Sequence, residues 1–170
     1  MDEWLPVIDW EDVYEVSDRG GVRSLPREIE VTRNGKTFTR TVAGKLLSPG
    51  RYESGHLFVN LYRGNQPHPV RVHHLVLEAF VEPRPEGMLG LHRDDDPANN
   101  HVSNLYWGTY SDNQNDKVRN GNHHNANKTH CPQGHEYTDE NIYRVEGRRS
   151  CLTCQRDRGR RAYHRRKARQ

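Results

Sequence analysis

Long hydrophobic runs are missing from this 170-residue chain. No apolar segment approaches the ~20 residues that a helix needs to cross a bilayer. The first ten residues, MDEWLPVIDW, are acidic and lack the apolar core of a signal peptide. These absences predict a soluble, cytoplasmic protein with no membrane partner.

Apolar residues are also scarce overall. They make up 32% of the chain, whereas globular domains usually contain about 45–50% with glycine counted. A chain of this length has room for one modest domain with appendages or for two small domains. We therefore expect a large share of surface, small modules, or segments that become ordered on a partner.

Cysteine is rare, and its placement is informative. All three cysteines lie within residues 130–155, and an odd count disfavours a disulfide framework. Two close pairs of metal-ligand residues, Cys-x3-His and Cys-x2-Cys, are separated by a 15-residue loop (136–150). The four residues are Cys131, His135, Cys151 and Cys154. Such a set predicts a closed, structural Zn²⁺ site.

Two neighbouring residues bear on this assignment. Gly134 permits the tight turn that the first ligand pair needs. His130 is an alternative fourth ligand, although the Cys131–His135 spacing suits the turn better. Because the segment is too small to form a core without metal, zinc binding and folding are expected to be one event.

A net charge of +3 conceals an uneven distribution of charge. Residues 156–170 carry eight cations and one acid, so their charge is +7 and that of residues 1–155 is −4. An isolated run of this kind is often a solvated, disordered tail. Its position directly after the metal motif favours a basic helix that contacts phosphate. The predicted DNA-contacting cations there are Arg156, Arg158, Arg160, Arg161, Arg165, Arg166 and Lys167.

Alternating apolar and polar residues predict several short strands before residue 72. Residues 13–17 and 22–24 flank a glycine-containing turn, and residues 28–31 and 37–41 flank Asn34-Gly35, a strong hairpin signal. A further strand is predicted at 56–62. Helices are predicted at 73–80, before Pro83 and Pro85, and at 111–119.

The stretch VHHLVLEAFVEPRPEGMLGLHRDDDPANNHVSNLYWGTYSDNQNDK, from Val72 to Lys117, resembles the HNH endonuclease family, in the branch of phage-borne and intron-borne homing enzymes. The matching residues are Val72-His73, Leu75-Val76, Ala79-Phe80, Pro85-Glu86-Gly87, His92, Asp94, Asn99-Asn100, Asn104-Leu105, Trp107-Gly108-Thr109 and Asn113. The first segment is similar to a small module that often precedes this nuclease. Its matching residues are Trp4, Trp10-Glu11, Tyr14-Glu15-Val16-Ser17 and Gly21-Val22-Arg23-Ser24.

The resemblance implies an α+β protein with a modular layout. Residues 1–71 would form a β-rich nuclease-associated module, and residues 72–119 a ββα-metal HNH core. Residues 120–129 are small and polar and are predicted to be a linker. Residues 130–170 would form the zinc module with its basic helical tail.

The resemblance also implies a metal-dependent DNA endonuclease that leaves a 5′-phosphate and a 3′-hydroxyl. His92 would be the general base, which suits an imidazole that titrates near neutrality. Asn113 would offer an amide oxygen to Mg²⁺ or Mn²⁺. Asn104 would fix the loop between the two strands. His73 and Asp94 are secondary candidates: His73 for packing or DNA contact, and Asp94 mainly as a turn residue.

One position departs from the family. Several members carry an Asp before the catalytic histidine as a metal ligand, and Leu91 stands there in this chain. Asn113 could be the sole protein ligand, a nearby acid such as Asp94 could substitute, or activity could be weak or lost. We expect the first.

The predicted partner is double-stranded DNA, bound by a monomer, with no small-molecule substrate. Sequence readout is expected from cations of the N-terminal β unit such as Arg23. A DNA-binding protein with a degenerate nuclease core is the main alternative. An RNA-binding module is weaker, because no aromatic platform for single strands is apparent. His74 is predicted to be a surface residue.

Overall fold

The computed structural model describes residues 1–145 and 147–169. The chain divides into two compact units, Met1–Asn120 and Gly121–Gln170. In the first unit the strands are β1 (Trp4–Pro6), β2 (Tyr14–Ser17), β3 (Val22–Ser24), β4 (Arg27–Arg33), β5 (Lys36–Val42), β6 (Lys45–Leu46), β7 (Gly50–Arg51), β8 (Leu57–Arg63), β9 (Gln66–Arg71), β10 (Leu89–His92) and β11 (Leu105–Gly108). Its helices are α1 (Val72–Phe80) and α2 (Tyr110–Arg119), with a 3-10 turn at Val102–Asn104.

The N-terminal strands form antiparallel sheets, which confirms the predicted β-rich module. One sheet has the order β1-β2-β3-β6 and another the order β7-β8-β9. Val16 pairs with Val22 across β2 and β3, and both side chains are buried, as their alternating pattern predicts. Strand β9 contains Pro67 and Pro69 and lies at a sheet edge, where missing N–H donors are tolerated.

The hairpin β4–β5 is a two-stranded sheet of its own. Asn34 and Gly35 adopt positive φ angles of 53° and 73° at its turn, the conformation that the Asn-Gly pair predicts. Most of its side chains are exposed. The predicted hairpin is therefore confirmed and extends further than the sequence pattern indicated.

One hydrophobic core joins the N-terminal sheets to residues 72–119. Val16 from β2, Leu61 from β8, Val76 from α1 and Leu105 from β11 all belong to the same buried cluster. Helix α1 presents its apolar face to this cluster, which agrees with the helix predicted at residues 73–80. The predicted boundary between residues 71 and 72 thus separates two sequence motifs that share a single core.

Strands β10 and β11 pair antiparallel, with His92 opposite Leu105, and α2 follows directly. A capping box begins the helix: Thr109 N–H donates to Asp112 Oδ2 at 2.8 Å, and Asp112 N–H donates to Thr109 Oγ1 at 3.2 Å. Tyr106 and Arg119 both contact the buried carboxylate of Asp116. This ββα arrangement confirms the predicted core.

The second unit contains β12 (Ile142–Val145), β13 (Arg148–Cys151) and α3 (Leu152–Lys167). The segment predicted to be a plain 15-residue loop, 136–150, instead holds most of the β12–β13 hairpin. Alternation of apolar and polar residues did not indicate these strands, because they are short and contain several arginines. Helix α3 confirms the predicted basic helix, and residues 121–129 hold no helix or strand.

None of the helices within the described residues is long and apolar enough to span a membrane.

Gly20 yields a stability prediction. Its φ is 84°, and an added Cβ would lie 2.7 Å from Asn100 Cβ and 3.2 Å from Val72 Cγ1. Gly35 has a similar φ of 73° but no atom within 4 Å. Both alanine substitutions place a side chain in the left-handed region, at roughly 1–2 kcal/mol. Gly20→Ala also overpacks the core and should cost a further ~1–3 kcal/mol of unfolding free energy in urea denaturation. Equal losses for the two variants would contradict this packing.

Candidate active site and metal centre

His92 lies at the end of β10 and is only 8% exposed. Its Nε2 is 3.1 Å from Asn100 Oδ1. Asn100 Nδ2 donates to the Ala98 carbonyl at 3.3 Å, which turns the amide oxygen toward the imidazole. Because that oxygen can only accept, Nε2 carries the proton and Nδ1 keeps the lone pair. Asn100 is itself 3% exposed, so the pair is held rigidly.

The imidazole of His92 is kept neutral. Burial lowers its pKa below the usual value, while the hydrogen bond to Asn100 and the nearby acids Asp94, Asp95 and Asp96 oppose this effect without outweighing it. A neutral ring with one free nitrogen can accept a proton near pH 7. The arrangement is suited to a general base.

The loop after His92 is tied by a side-chain network. Asn104 Nδ2 donates to Asp94 Oδ1 and to the Asn99 carbonyl, both at 2.9 Å. Asn99 Nδ2 donates to Asp94 Oδ2 at 2.6 Å, and Asp96 N–H donates to Asp94 Oδ1 at 2.9 Å. Partial burial raises the pKa of Asp94, but these hydrogen bonds prevail and lower it. Asp94 thus organises a turn, and Asn104 occupies the loop position expected of it.

Asn113 sits in the first turn of α2, where its N–H donates to the Thr109 carbonyl at 3.1 Å. Its side chain is half-buried and makes no hydrogen bond with any other described residue. An amide oxygen without a protein partner fits a hard, oxygen-preferring cation. Asn113 can therefore supply a ligand for Mg²⁺.

Leu91 supplies no such ligand. Its side chain is 5% exposed and packs on the backbone of β11, where a Cβ at Gly108 would lie 2.7 Å from Leu91 Cδ1. Hydrocarbon fills the space beside Gly108. The Asp94 carboxylate accepts hydrogen bonds within its own turn. Of the predicted Mg²⁺ ligands, Asn113 is therefore the one whose oxygen is available among the described residues.

Three histidines from distant parts of the sequence meet around His92. Ring centroids are 5.0 Å apart for His73 and His92, 5.0 Å for His56 and His73, and 5.6 Å for His56 and His92. His73 is 1% exposed, so its position favours packing over DNA contact. His56 was not among the predicted site residues. It is the residue directly before β8, and nothing in the local sequence pattern there signals a site.

The prediction that His74 lies on the surface is wrong. It is half-buried, and its ring lies 4.5 Å from that of His73 and 5.7 Å from that of Trp107. Burial, reinforced by the nearby Arg84 and Arg71 charges, lowers its pKa to about 4. Its position on the helix, next to His73, carries it against β11.

The four predicted zinc ligands converge in the second unit. Cys131 Sγ lies 3.6 Å from Cys154 Sγ and 3.6 Å from His135 Nδ1. His135 Nδ1 lies 3.3 Å from Cys154 Sγ and 3.7 Å from Cys151 Sγ. Tetrahedral Zn²⁺ with Zn–S of ~2.3 Å and Zn–N of ~2.0 Å requires ligand separations of roughly 3.5–3.8 Å. The geometry fits a closed Cys3His centre.

The surroundings support the same assignment. Gly134 has a φ of 81°, and its N–H donates to the Cys131 carbonyl at 2.9 Å to form the ligand turn. Cys154 N–H donates to Cys151 Sγ, which lowers the pKa of the Cys151 thiol to about 7 and favours the thiolate. His130 is exposed and contacts Thr129 instead, so the structure selects His135 over it.

The predicted DNA-contacting cations fall into two groups. Every predicted cation of the tail is exposed on α3. Arg158, Arg161 and Arg165 line a groove of about 510 Å³ beside the zinc ligands. Arg23 lies elsewhere: its guanidinium bonds Glu15 at 2.8 Å and stacks on Trp4 at 4.2 Å. These internal contacts explain Arg23 as a structural residue, and its DNA role stays a prediction.

Zinc removal gives a second prediction. In the described part of the second unit the buried side chains are Cys131 and Cys151, so a bound metal would take the place of a core. Cys151→Ser should bind one zinc fewer per chain and lose order in α3, because structural zinc supplies about 10–16 kcal/mol in small modules. Zinc content and tryptic cleavage after the α3 arginines measure this. Ser150→Ala is the matched control, and retained zinc with retained protease resistance in Cys151→Ser would refute the site.

Two known families match consecutive parts of the first unit. Residues 2–62 match the NUMOD4 motif, and residues 70–115 match the HNH endonuclease family. The first range covers β1 to most of β8, and the second covers α1, β10, β11 and the first six residues of α2.

Individual relatives agree with these matches. The chain is 28% identical over 119 residues to DNA endonuclease I-HmuI of Bacillus phage SP01, covering 70% of this chain and 59% of that protein. It is 30% identical over 110 residues to an uncharacterized HNH endonuclease, L245, of Acanthamoeba polyphaga mimivirus, covering 65% of this chain and 28% of that one. The chain thus spans less than two thirds of either relative.

A solved structure described as DNA binding and cleavage by the HNH homing endonuclease I-HmuI has a TM-score of 0.54 and 28% identity. The match covers 71% of this chain and 60% of that one. Residues 70–115 are therefore homologous to the HNH endonuclease family, and residues 2–62 ahead of them carry the NUMOD4 motif.

Proposed function

We propose that this protein is a metal-dependent DNA endonuclease. The observation that carries the proposal is the buried, neutral His92, whose Nε2 is fixed by Asn100 so that Nδ1 is free to accept a proton. The relative described as a DNA endonuclease, I-HmuI, supports duplex DNA as the substrate. A monomer acting in the cytoplasm of the cell that holds its target DNA is part of the same proposal.

In the proposed reaction His92 Nδ1 removes a proton from a water molecule as the water oxygen attacks the phosphorus. The bond from phosphorus to the 3′ oxygen breaks, and that oxygen leaves with the bonding electrons and takes a proton from solvent. The products are a 5′-phosphate and a 3′-hydroxyl. Asn100 keeps His92 in the reactive tautomer, and Asn104 keeps the intervening loop in place.

Asn113 is proposed to hold Mg²⁺ or Mn²⁺, with water and substrate phosphate completing the shell. When bound, the ion neutralises charge on the phosphate and on the leaving oxygen. The free amide of Asn113 and the hydrocarbon at Leu91 make this a single-ligand site on the protein side. Such a site should bind Mg²⁺ weakly and depend on DNA for its affinity.

Cations in each of the two units are proposed to contact DNA. On the β4–β5 hairpin, alternation places all the cations on one face and both acids on the other. The cations are Arg27, Arg33, Lys36 and Arg40; the acids are Glu28 and Glu30. A cationic face on an exposed ribbon, like the arginines of α3, suits phosphate contact. We propose that the module 1–71 positions DNA and the zinc module 130–170 adds affinity.

A non-catalytic DNA-binding protein is the second candidate. The specific observation in its favour is Leu91, which is buried against β11 where several family members carry a metal-binding Asp. Retention of a positioned, neutral His92 favours the nuclease, since DNA binding alone would not require it.

Plasmid cleavage separates the two candidates. Wild type should nick or linearise supercoiled DNA with Mg²⁺ or Mn²⁺, and His92→Ala should be slower by about 10²–10⁴-fold, because the general base is lost. His124→Ala, an exposed histidine outside the core, is the control. If neither wild type nor His92→Ala cuts while both bind DNA tightly, the protein is the non-catalytic alternative.

A further prediction concerns Asn100 as a positioning residue. Asn100→Ala should lower kcat about 10–100-fold with little change in KM, by analogy with the outer partners of functional histidines. Asn100→Asp keeps an acceptor for Nε2–H and should restore much of the rate. Steady-state cleavage of a short duplex measures both. Equal loss in the two variants, together with a raised KM, would point to general loss of structure.

A further inference from the structure

The three histidines around the proposed general base are also spaced as metal ligands. His56 immediately precedes β8, His73 lies in α1, and His92 ends β10. One ring nitrogen from each lies within 4.8 Å of those of the other two. Tetrahedral Zn–N bonds of ~2.0–2.1 Å require about 3.4 Å between such nitrogens, so the rings would move closer together on binding an ion.

One nitrogen in the cluster has no partner. His73 is 1% exposed, and its Nδ1 is the one buried side-chain nitrogen or oxygen without a hydrogen bond among the described residues. Buried polar atoms are almost always satisfied, so an exception calls for an explanation. A bound cation with an open ligand position would satisfy it.

The other two rings are oriented as metal ligands usually are. His92 Nε2 is held by Asn100 Oδ1, and His56 Nδ1 lies 3.0 Å from Ser54 Oγ. A ligating histidine commonly donates its second N–H to a neighbouring oxygen, which fixes the ring and leaves the other lone pair for the ion. That pattern would leave His92 Nδ1 and His56 Nε2 available.

Burial is also the largest cause that lowers the pKa of all three rings, which favours the neutral imidazole that binds a metal ion. Three nitrogen ligands without a carboxylate suit a borderline ion such as Zn²⁺ and are unsuited to Mg²⁺.

We propose that His56, His73 and His92 form a second transition-metal site, separate from the Cys3His centre and from the oxygen ligand Asn113. Three protein ligands leave a fourth position for water. Because the ion takes Nδ1 of His92, an occupied site removes the base, so Zn²⁺ inhibits Mg²⁺-dependent cleavage. This inhibitory consequence rests on the proposed function, whereas the metal binding itself does not.

The first test measures zinc bound per chain in the full-length protein after saturation with Zn²⁺ and removal of free ion. Wild type should hold one zinc more than His56→Gln, a substitution at a half-buried position that keeps polarity. His124→Gln, an exposed histidine, should match wild type. Equal zinc content in wild type and His56→Gln, with both folded by circular dichroism, would overturn the proposal.

Cobalt distinguishes the two centres. Co²⁺ added to protein whose Cys3His centre is filled with zinc should give visible absorption without a new thiolate-to-cobalt charge-transfer band, and His56→Gln should abolish it. A new thiolate band in wild type would place the ion at the cysteines and refute the assignment.

Cleavage under Mg²⁺ tests the consequence. Each variant is compared with itself, with and without added Zn²⁺. The wild-type rate should fall toward the roughly 10²-fold loss that follows removal of a general base, and the rate of His56→Gln should fall far less. Bound zinc without inhibition would refute the blocking of His92. If the protein cuts no DNA under Mg²⁺ alone, the nuclease assignment fails, and the zinc and cobalt measurements still decide the metal site.

Discussion

The loop between β10 and β11 depends on its contact with the turn between β2 and β3. Val102 N–H donates to the Asp18 carbonyl at 2.7 Å, and Gly20 packs directly on Asn100. Asn100 in turn holds the His92 ring. The turn between β2 and β3 therefore sets the position of the proposed base, although it lies far away in sequence. A module that shares its core and its loop contacts with residues 72–119 is a structural part of the proposed active site.

The second constraint is the burial of imidazoles. His56, His73, His74 and His92 all have lowered pKa values, chiefly because burial penalises the charged ring. Burial keeps His92 in the form that accepts a proton. It also leaves His73 Nδ1 unsatisfied, and an atom of that kind costs about 1–3 kcal/mol. A fold that tolerates this cost gains a nitrogen that is free to bind an ion.

Sequence reasoning succeeded where chemistry is encoded locally. The Asn34-Gly35 turn, the helix before Pro83 and the Cys3His spacing each follow from a few adjacent residues, and the structure has all three. It failed where tertiary contact decides. His56 joins His92 only because β8 packs against α1, and residues 142–145 and 148–151 form strands without a strong alternating pattern. Arg23 pairs with Glu15, a contact that no pattern of charge reveals, and its DNA contact stays a prediction.

Leu91 bears on both metal sites proposed in the first unit. An Asp at that position would offer a hard oxygen ligand beside His92 and would strengthen binding of Mg²⁺ there. Leucine leaves Asn113 as the oxygen ligand and leaves the imidazoles as the stronger donors for borderline ions. The two proposed sites would thus separate metals by ligand type: oxygen at the start of α2 for Mg²⁺, and nitrogen between α1 and β10 for an ion such as Zn²⁺. Since His92 belongs to the nitrogen set and is also the proposed base, an ion bound there would block the cleavage that Mg²⁺ at Asn113 supports.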